Sequence, residues 1–570
     1  MGMHYNCRNE IELPIYPELD KTIEALSDIF SNWGDIVKKR FEPARCDGSL
    51  SIYIMYVDGL TDNEMVERTI THPLLYEWRD VQGLPHNMTS VQADQGLPQE
   101  DMREQTGQGL PQGDVSRQTE QRLRCEDERG QTEPGLLHKT ESVQEEGYTL
   151  YQDIFCRQTE AVDMREVHSM QEAVDGILQG DTAIFIEGQN RGILLSTKKY
   201  PTRSISAPEK EAGLKGPRDS FNESFRDNTA LLRRRIKDPK LKLTQGTVGL
   251  RTRTTYGLMY MEDLAEPELL NRITDKLNSF VIDGILDSGM LVHLLEDKWY
   301  SPFPQVQTTE RPDKAASAML EGRVVLVVDN SPEVIILPTT LNTFFQAADD
   351  YYNRFAVGTF ARIIRYIAAY ITVLLPGLYV AITCFYPQVL PTDFLLAIVG
   401  ARNDVTFPVV VEVLLMEFLF ELLREAGIRL PGQMGNTIGV VGGIIVGQAA
   451  VEASLVSTIV VIVVALTAIC SFAIPNEEFA STFRLLKFVM IILGAVLGLY
   501  GILLGILVMQ IHLASLTSFG IPYMMPLVSG TVDEGVEFQD FVMRKPIFTM
   551  RRRPVYTREG KRVRFLRTRK

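Results

Sequence analysis

The chain has 570 residues, and its mean hydropathy near zero averages a polar first part with an apolar last third. Its formal charge of −14 also combines unlike parts, because residues 541–570 hold twelve Lys and Arg against one Glu, which leaves −25 for the rest. The first residues lack a basic stretch followed by an apolar one, so they do not resemble a secretory signal. This pattern excludes a uniformly soluble globular chain and predicts two or three domains.

An internal repeat organises the first 350 residues. Met55–Arg68 aligns without gaps on Met259–Arg272, and both segments have the pattern of a buried strand, a turn and a helix start. Further along, Gly180–Leu195 resembles Gly322–Leu337, and each is a β-rich segment around an acidic turn, which predicts a hairpin. The repeat therefore predicts an α/β region of two duplicated subdomains, followed by an all-α polytopic membrane domain.

The two copies differ in length. We place the first subdomain at residues 1–200, a linker at 201–216 and the second subdomain at 217–350. The excess in the first copy lies at about 81–146, where QGLP recurs three times among Gln, Glu, Asp, Arg and Gly. Such a composition buries too little apolar surface to offset chain entropy, so we expect a disordered insertion whose deletion is tolerated.

Three apolar stretches of residues 351–530 pass the length test for spanning a bilayer, about 20 residues. They are Tyr366–Phe385, Leu455–Ile474 and Phe488–Met509, and none contains a charged side chain. Two further stretches are less regular. Asp393–Leu423 is interrupted by Arg402, Asn403, Asp404 and Pro408, and Gly435–Val451 carries glycines at a spacing of four.

Charge predicts the topology of this membrane domain. The basic tail at 531–570 and the arginines at 354, 362 and 365 flank the apolar region, and the positive-inside tendency places both in the cytosol. If both ends of the domain lie in the cytosol, the chain must cross the membrane an even number of times. We therefore predict four spans and one broken or re-entrant segment, Asp393–Leu423. The tail either contacts anionic lipid or is a solvated topology anchor.

Two groups of residues in the membrane domain are pore or gating candidates. The glycine series would give a helix face without side chains, suited either to close packing or to a pore. It comprises Gly435, Gly439, Gly443 and Gly447, followed by Gln448 and Glu452. The second group is Glu412, Glu417 and Glu421. With Arg424, the last two either form an intrahelical ion pair or line a cation path in an oligomer.

No catalytic constellation is present in the sequence. It contains no Walker A loop, no HExxH and no GxSxG, and its seven histidines are dispersed. The six cysteines lack CxxC spacing and are expected to be free thiols in a reducing compartment. We therefore predict no enzyme activity, no catalytic residues, no metal site, no cofactor and no nucleic-acid partner.

From Gly216 onward the chain resembles the A subunits of GerA-type spore germinant receptors. The resemblance is carried by seven segments in order: GPRDSF (Gly216–Phe221), NTALLRRRI (Asn228–Ile236), YYNRFAVGTFARIIRY (Tyr351–Tyr366), FPVVVEVLLMEFLFELLREAGIRLP (Phe407–Pro431), VGGIIVGQAAVEA (Val441–Ala453), SFAIPNEEFA (Ser471–Ala480) and HLASLTSFGIPYMMP (His512–Pro526). The QGLP insertion departs from the family pattern. The family supplies no catalytic residues to carry over.

This resemblance implies a subunit of a nutrient receptor in the inner membrane of a dormant spore. Its expected partners are a transporter-like B subunit and a lipoprotein C subunit, together with further copies of itself in a ligand-gated ion channel. The competing hypotheses are a non-conducting scaffold or transducer and a secondary transporter. The transporter is disfavoured because only one clearly broken segment is found, without a matching inverted repeat.

Overall fold

The computed structural model describes residues 11, 13–41, 50–71, 148, 151, 163–199, 208, 211, 213, 215–429, 443, 447–528, 540–550, 552–554 and 556–558. The QGLP insertion, Gly435, Gly439, most of the linker and the last twelve residues lie outside this set. The chain divides into two compact units, each described by itself below. The first is Met1–Pro201 with Lys237–Pro239, and the second is Thr202–Ile236 with Lys240–Lys570.

The first unit is an α/β subdomain around a five-stranded antiparallel sheet of order β1-β2-β4-β5-β3. Its strands are β1 (Ile36–Phe41), β2 (Ile52–Val57), β3 (Met164–Val167), β4 (Thr182–Ile186) and β5 (Gly192–Leu195). Its helices are α1 (Leu19–Ile29), α2 (Asn63–Val66) with a π-helical turn (Glu67–Thr71), and α3 (Met170–Leu178). The inner strand β2 is wholly buried, whereas the edge strand β1 exposes its lysines. A charged edge of this kind resists pairing with another chain.

The second α/β subdomain repeats this arrangement with the order β6-β7-β9-β10-β8. Its strands are β6 (Leu241–Val248), β7 (Thr254–Met261), β8 (Gln307–Thr309), β9 (Val324–Val328) and β10 (Val334–Leu337). Its helices are α4 (Phe225–Arg235), α5 (Pro267–Asn278), α6 (Ser288–Leu295) and α7 (Pro312–Leu320). Alternate residues of β9 pack toward α4 and α7 on one face and toward α5 and α6 on the other. Burial of both faces explains its uninterrupted VVLVV sequence.

The duplication predicted from the sequence is confirmed by these two sheets. Both predicted hairpins form, as β4 with β5 and as β9 with β10, and β2 and β7 occupy the same position in the strand order. Each repeat places a buried strand, a turn and a helix start where the alignment of Met55–Arg68 on Met259–Arg272 expects them. The fold class is therefore two duplicated α/β subdomains followed by apolar helices.

Short elements connect the second sheet to the helical part. They are a 3-10 turn (Leu341–Phe344) and α8 (Asp349–Tyr352). The helices that follow are α9 (Phe355–Phe385), α10 (Thr392–Ala401) after a 3-10 turn (Pro387–Val389), α11 (Val409–Arg429), α12 (Thr458–Phe472), α13 (Glu477–Leu497) and α14 (Leu499–Ser515). Residues 447–452 are also helical. A two-stranded ribbon of β11 (Thr517–Ser518) and β12 (Ile521–Pro522), then a 3-10 turn (Ile547–Thr549), complete the described elements.

Two of the described helices, α9 and α13, are long and apolar enough to cross a membrane. The helices α10, α12 and α14 are apolar but shorter. The predicted interruption of Asp393–Leu423 is confirmed, because α10 ends at Ala401 and α11 begins at Val409. Re-entrance of this segment and the number of crossings stay predictions.

The predicted single span at Phe488–Met509 is wrong. The chain reverses at Gly498, which has a φ of 59° that L side chains rarely adopt, and α13 and α14 form an antiparallel hairpin. Two glycines of α14 permit this close packing: a Cβ at Gly505 would lie 2.5 Å from Met490 Sδ, and one at Gly501 would overlap the carbonyl oxygen of Leu493. Because the sequence is apolar on both sides of Gly498, hydropathy alone does not reveal the reversal.

Candidate functional site: buried ion pairs between the apolar helices

The carboxylates predicted on α11 are brought against other helices. This helix packs with α9, α12 and α13 around an apolar cluster that includes Val413 and Met416. Glu412 and Glu417 are buried, and Glu421 is partly buried. Each of the three pairs with a cation from outside α11. Among the described residues, therefore, these carboxylates face protein cations within one copy of the chain.

The most buried pair joins the middle of α11 to the middle of α13. Lys487 Nζ lies 2.6 Å from Glu417 Oε2, and the two side chains are 2% and 1% exposed. The same ammonium lies 3.7 Å from Glu421 Oε2. Opposite charges taken out of water attract strongly, but each has lost its hydration, so such a pair persists only with good geometry.

Further ion pairs continue outward from this pair. Arg484 contacts Glu421 at 3.1 Å and Glu477 at 3.3 Å, and Arg424 contacts both of these carboxylates as well. We call the whole group the Lys487 cluster: Glu417, Glu421, Arg424, Glu477, Arg484 and Lys487. Its three carboxylates balance three cations, so its formal charge is zero. Electrical neutrality is what allows so many charged groups to lie among apolar helices.

Two carboxylates of the Lys487 cluster are not fully satisfied. Glu417 Oε1 and Glu421 Oε2 are buried and have no hydrogen-bond partner among the described residues. A buried acceptor without a partner costs about 1–3 kcal/mol. The packing of α11 on α13 therefore retains a local energetic penalty beside its most buried ion pair.

These contacts correct one of the two sequence hypotheses for α11. The intrahelical pair exists between Glu421 and Arg424, at 3.6 Å, but Glu417 pairs with Lys487 of α13 instead. Sequence reasoning missed Arg484 and Lys487, which precede the predicted span at Phe488. A signal was available, because Glu477, Arg484 and Lys487 are spaced by seven and three residues and so share one face of a helix.

Glu412 forms a separate site at the break between α10 and α11. Its Oε1 lies 3.2 Å from Arg402, and its Oε2 accepts a hydrogen bond of 3.0 Å from the backbone N–H of Ser457. Ser457 is the N-cap of α12. A carboxylate at a helix N-terminus complements the helix dipole and satisfies a free donor. Glu412 thus joins the interrupted segment to the start of the next helix.

The glycine series is only partly described. A Cβ added to Gly443 would meet no described atom within 4 Å, and one added to Gly447 would lie 3.8 Å from Val461. Gln448 and Glu452 are exposed and share a hydrogen bond of 2.9 Å. In the described part of the chain, then, close helix packing is not seen at Gly443. Its role in packing or in a pore stays a prediction.

A second buried ionic group lies where the second subdomain meets α9. We call it the junction cluster: Asp350, Arg362, Arg365, Asp540 and Arg544. Both oxygens of Asp350 accept from Arg365, and Asp540 accepts from Arg362 through Oδ1 and from the hydroxyl of Tyr351 through Oδ2. Burial, with the negative charge of Asp540 adding to it, holds the pKa of Tyr351 well above its ordinary value. Tyr351 therefore stays protonated and remains a donor.

Two duplicated α/β sheets followed by apolar helices, two of which are long enough to cross a membrane, indicate a membrane-associated protein with a large α/β region. The chain belongs to the Bacillus/Clostridium GerA spore germination protein family, whose family model matches residues 129–556.

Relatives of similar length support this assignment. The chain is 42% identical to Spore germination protein A1 of Bacillus subtilis, over 68% of this chain and 80% of that protein. It is 36% identical to Spore germination protein GerLA of Bacillus cereus, over 73% and 84% of the two chains. It is 39% identical to the membrane protein YfkQ of Bacillus subtilis, over 68% and 75%.

A solved structure also aligns, at 21% identity and a TM-score of 0.37. It is the N-terminal domain of the A subunit of the Bacillus megaterium spore germinant receptor GerK3, and the alignment covers 57% of this chain and 97% of that domain.

Proposed function

We propose that this chain is the A-type subunit of a germinant receptor that triggers spore germination by oligomerising into a nutrient-gated ion channel. Family membership and the names of the relatives support the receptor subunit. We further propose that it lies in the inner spore membrane with both ends cytosolic, beside a transporter-like B subunit and a lipoprotein C subunit. It has no catalytic role in this proposal.

The observation that carries the gating proposal is the pair of Glu417 and Lys487. This pair fastens α11 to α13 in the middle of both helices, yet Glu417 Oε1 has no partner among the described residues. A network that is incompletely satisfied has a second arrangement within reach, because water entering between the helices would hydrate the free oxygen. The packed arrangement is then the closed state, and separation of the two helices is the opening step.

A nutrient opens such a channel only if the complex binds it more tightly in the open state. Moving the equilibrium from 1:99 to 99:1 requires roughly 5.5 kcal/mol of differential binding. Hydration of Glu417 and Glu421 in the open state lowers the free-energy difference between the two states that nutrient binding has to overcome. The freed carboxylates would then attract cations along the path that opens.

Exchange of the charges tests the role of this pair. Lys487→Glu brings a fourth carboxylate into the cluster, so repulsion should separate α11 from α13 and cause potassium release from spores without nutrient. The exchange variant, Lys487→Glu with Glu417→Lys, restores opposite charges and should return release to nutrient control. Receptor abundance is measured in the same membranes. Unchanged release by Lys487→Glu at normal abundance would remove the pair from the gating mechanism.

A second experiment separates a channel from a non-conducting scaffold. Gly443 is exposed in the described structure, so Gly443→Leu adds a bulky side chain without a clash inside one copy. If the glycine face belongs to a pore or gate, nutrient-triggered potassium release falls while assembly with the other subunits is normal. Gly443→Ala is the matched control, since a single methyl group leaves most of the face open. Normal release by the leucine variant would place the pore elsewhere.

A further inference from the structure

The two α/β subdomains are closed by different parts of the chain. In both, the turn after the second strand leaves backbone groups that need a partner, at Leu60–Thr61 in the first and at Leu264–Ala265 in the second. These positions are equivalent in the repeat. The two subdomains differ in which segment of the chain supplies this partner.

The first subdomain closes with the residues that directly follow β5. Thr61 forms an antiparallel bridge with Lys198, and the backbone N–H of Lys199 donates to the carbonyl oxygen of Leu60 at 2.9 Å. The Thr197 carbonyl accepts from the N–H of Asp62 at 2.8 Å. The chain therefore turns back on its own sheet immediately after the hairpin and satisfies the turn locally.

In the second subdomain the equivalent residues, Thr339–Leu341, are used elsewhere. The backbone N–H of Thr339 donates to Ser518 Oγ at 3.0 Å, and that of Leu341 donates to the Tyr523 carbonyl at 2.8 Å. The chain leaves the sheet here to enter the helical part. Because these residues pair with the ribbon after α14, they do not close the turn at Leu264–Ala265.

The C-terminal segment takes the vacated place. Ala265 forms an antiparallel bridge with Thr557, and the N–H of Arg558 donates to the carbonyl oxygen of Leu264 at 2.8 Å. These two contacts reproduce those of Thr61 with Lys198 and of Leu60 with Lys199. A segment more than 200 positions further along the chain thus takes the place of the residues that directly follow the hairpin.

Side chains fasten the same segment. Thr557 Oγ1 donates to the Glu321 carbonyl at 2.8 Å, and Arg553 Nε donates to the Leu320 carbonyl at 2.9 Å. The hydroxyls of Tyr556 and Thr340 are 2.9 Å apart, and the guanidinium of Arg323 lies 4.4 Å from the Tyr556 ring centroid. Tyr556 and Thr557 are buried.

The backbone beneath the segment is shaped for it. Gly322 has a φ of 89°, and a Cβ there would lie 2.8 Å from the Tyr556 carbonyl oxygen and 2.9 Å from Thr557 Cα. The segment therefore lies directly on the main chain at this position.

We infer that the described C-terminal residues 553–554 and 556–558 form a docking peptide that completes the second α/β subdomain in cis. Its acceptor groove is formed by Leu264–Ala265 on one side and by Leu320–Gly322 on the other. The groove recognises an extended backbone, with a pocket for one aromatic side chain and one hydroxyl. The segment follows the last apolar helices, so docking ties the end of the helical part to this subdomain. This goes beyond the proposed function and stands independently of it.

A cysteine cross-link in the full-length protein tests the docking. Ala265→Cys with Thr557→Cys replaces a bridged residue pair, and Thr61→Cys with Lys198→Cys is the matched positive control in the first subdomain. We expect mild oxidation of membranes to join both pairs within one polypeptide, identified by mass spectrometry of the digested monomer band. Failure of the 265–557 pair where the 61–198 pair forms would overturn the inference. A 265–557 link found only between two copies would overturn docking in cis.

A backbone variant then tests the mechanism of docking. Arg558→Pro removes the N–H that donates to Leu264, whereas Arg558→Ala keeps it and removes only the side chain. We expect the proline variant to lower the rate of 265–557 cross-linking about tenfold, the effect of one lost backbone hydrogen bond. The alanine variant should cross-link at the parent rate. Equal rates for the proline variant and the parent would show that this hydrogen bond does not hold the segment.

Discussion

The junction cluster and the Lys487 cluster bury similar groups but satisfy them differently. In the junction cluster, every oxygen of Asp350 and Asp540 accepts a hydrogen bond. Arg362, whose side chain is wholly buried, contacts both of these aspartates. The unsatisfied buried atoms of this cluster are on its cations, since Nε of Arg362 and Nε of Arg544 have no hydrogen-bond partner among the described residues. In the Lys487 cluster, Glu417 is equally buried, and its Oε1, like Oε2 of Glu421, has no hydrogen-bond partner among the described residues.

The difference indicates two different tasks for buried charge in one chain. A network whose carboxylate oxygens are all satisfied gains nothing from hydration of those oxygens, so it holds its surroundings in place. The junction cluster therefore serves as an anchor, which joins the connecting segment before α9 to Asp540 and Arg544 beyond α14. A network with unsatisfied carboxylate oxygens carries a penalty that their hydration relieves, so the Lys487 cluster suits a step that opens and closes.

The largest expected effect is that of breaking the anchor. Arg362→Met leaves Asp350 and Asp540 without a shared cation in a buried site, which should cost about 5 kcal/mol of stability. Receptor abundance in membranes and the temperature of aggregation in detergent should both fall strongly. Arg354→Met, at an exposed position just before the same helix, is the matched control and should leave both unchanged. Normal thermal stability of the Arg362 variant would contradict the anchor.

Removing the most buried cation of the Lys487 cluster should have a smaller effect. Lys487→Met leaves the Glu417 carboxylate buried beside Glu421 and should cost about 3 kcal/mol. Adding Glu417→Leu removes the unpaired charge and should recover most of the loss, because an apolar pair of similar volume replaces a buried ion pair well. Thermal unfolding of the two single variants and the double variant gives the coupling energy. A double variant as unstable as the sum of the singles would refute direct pairing.

A neutral isostere at Glu417 sharpens the comparison further. Glu417→Gln keeps the volume, and Lys487 keeps Glu421 at 3.7 Å, so the loss of stability should be about 1 kcal/mol. Nutrient-triggered potassium release should nevertheless change at normal receptor abundance. Asp540→Asn makes the corresponding change in the anchor and should lower abundance without altering release per receptor. The reverse pattern would assign the two tasks the other way round.

The smallest effect is expected at the outer end of the Lys487 cluster. Glu477 is 64% exposed, and exposed ion pairs contribute little because water and salt screen them. Glu477→Gln should therefore change stability by less than about 0.5 kcal/mol, and potassium release should stay normal. Its value is as a reference for Glu417→Gln, which removes the same charge from the buried end. Equal effects of the two variants would show that burial of the carboxylate does not determine the change in stability and potassium release.

Much of the fold could be predicted because it depends on local pattern. Buried strands such as β2 and β9 are runs of apolar residues, and the repeat fixes their order twice. The interruption between α10 and α11 was visible in Arg402 and Pro408. The reversal at Gly498 was not, since apolar residues on both sides satisfy the same hydropathy criterion and a glycine within an apolar helix has several uses.

The candidate site was predicted in part. The sequence by itself determined that Glu412, Glu417 and Glu421 lie on an apolar helix. It also determined that each needs a partner, because burying an unpaired carboxylate is costly in any fold. Only the tertiary structure decided that Lys487, Arg484 and Arg402 are those partners. The same holds for the C-terminal segment, since its charge predicted a cytosolic tail and its place on Leu264 and Ala265 depended on where the chain had left a backbone turn open. The sequence pattern shows which charged or backbone groups of a segment need a partner. Only the packing in three dimensions determines which distant segment supplies that partner.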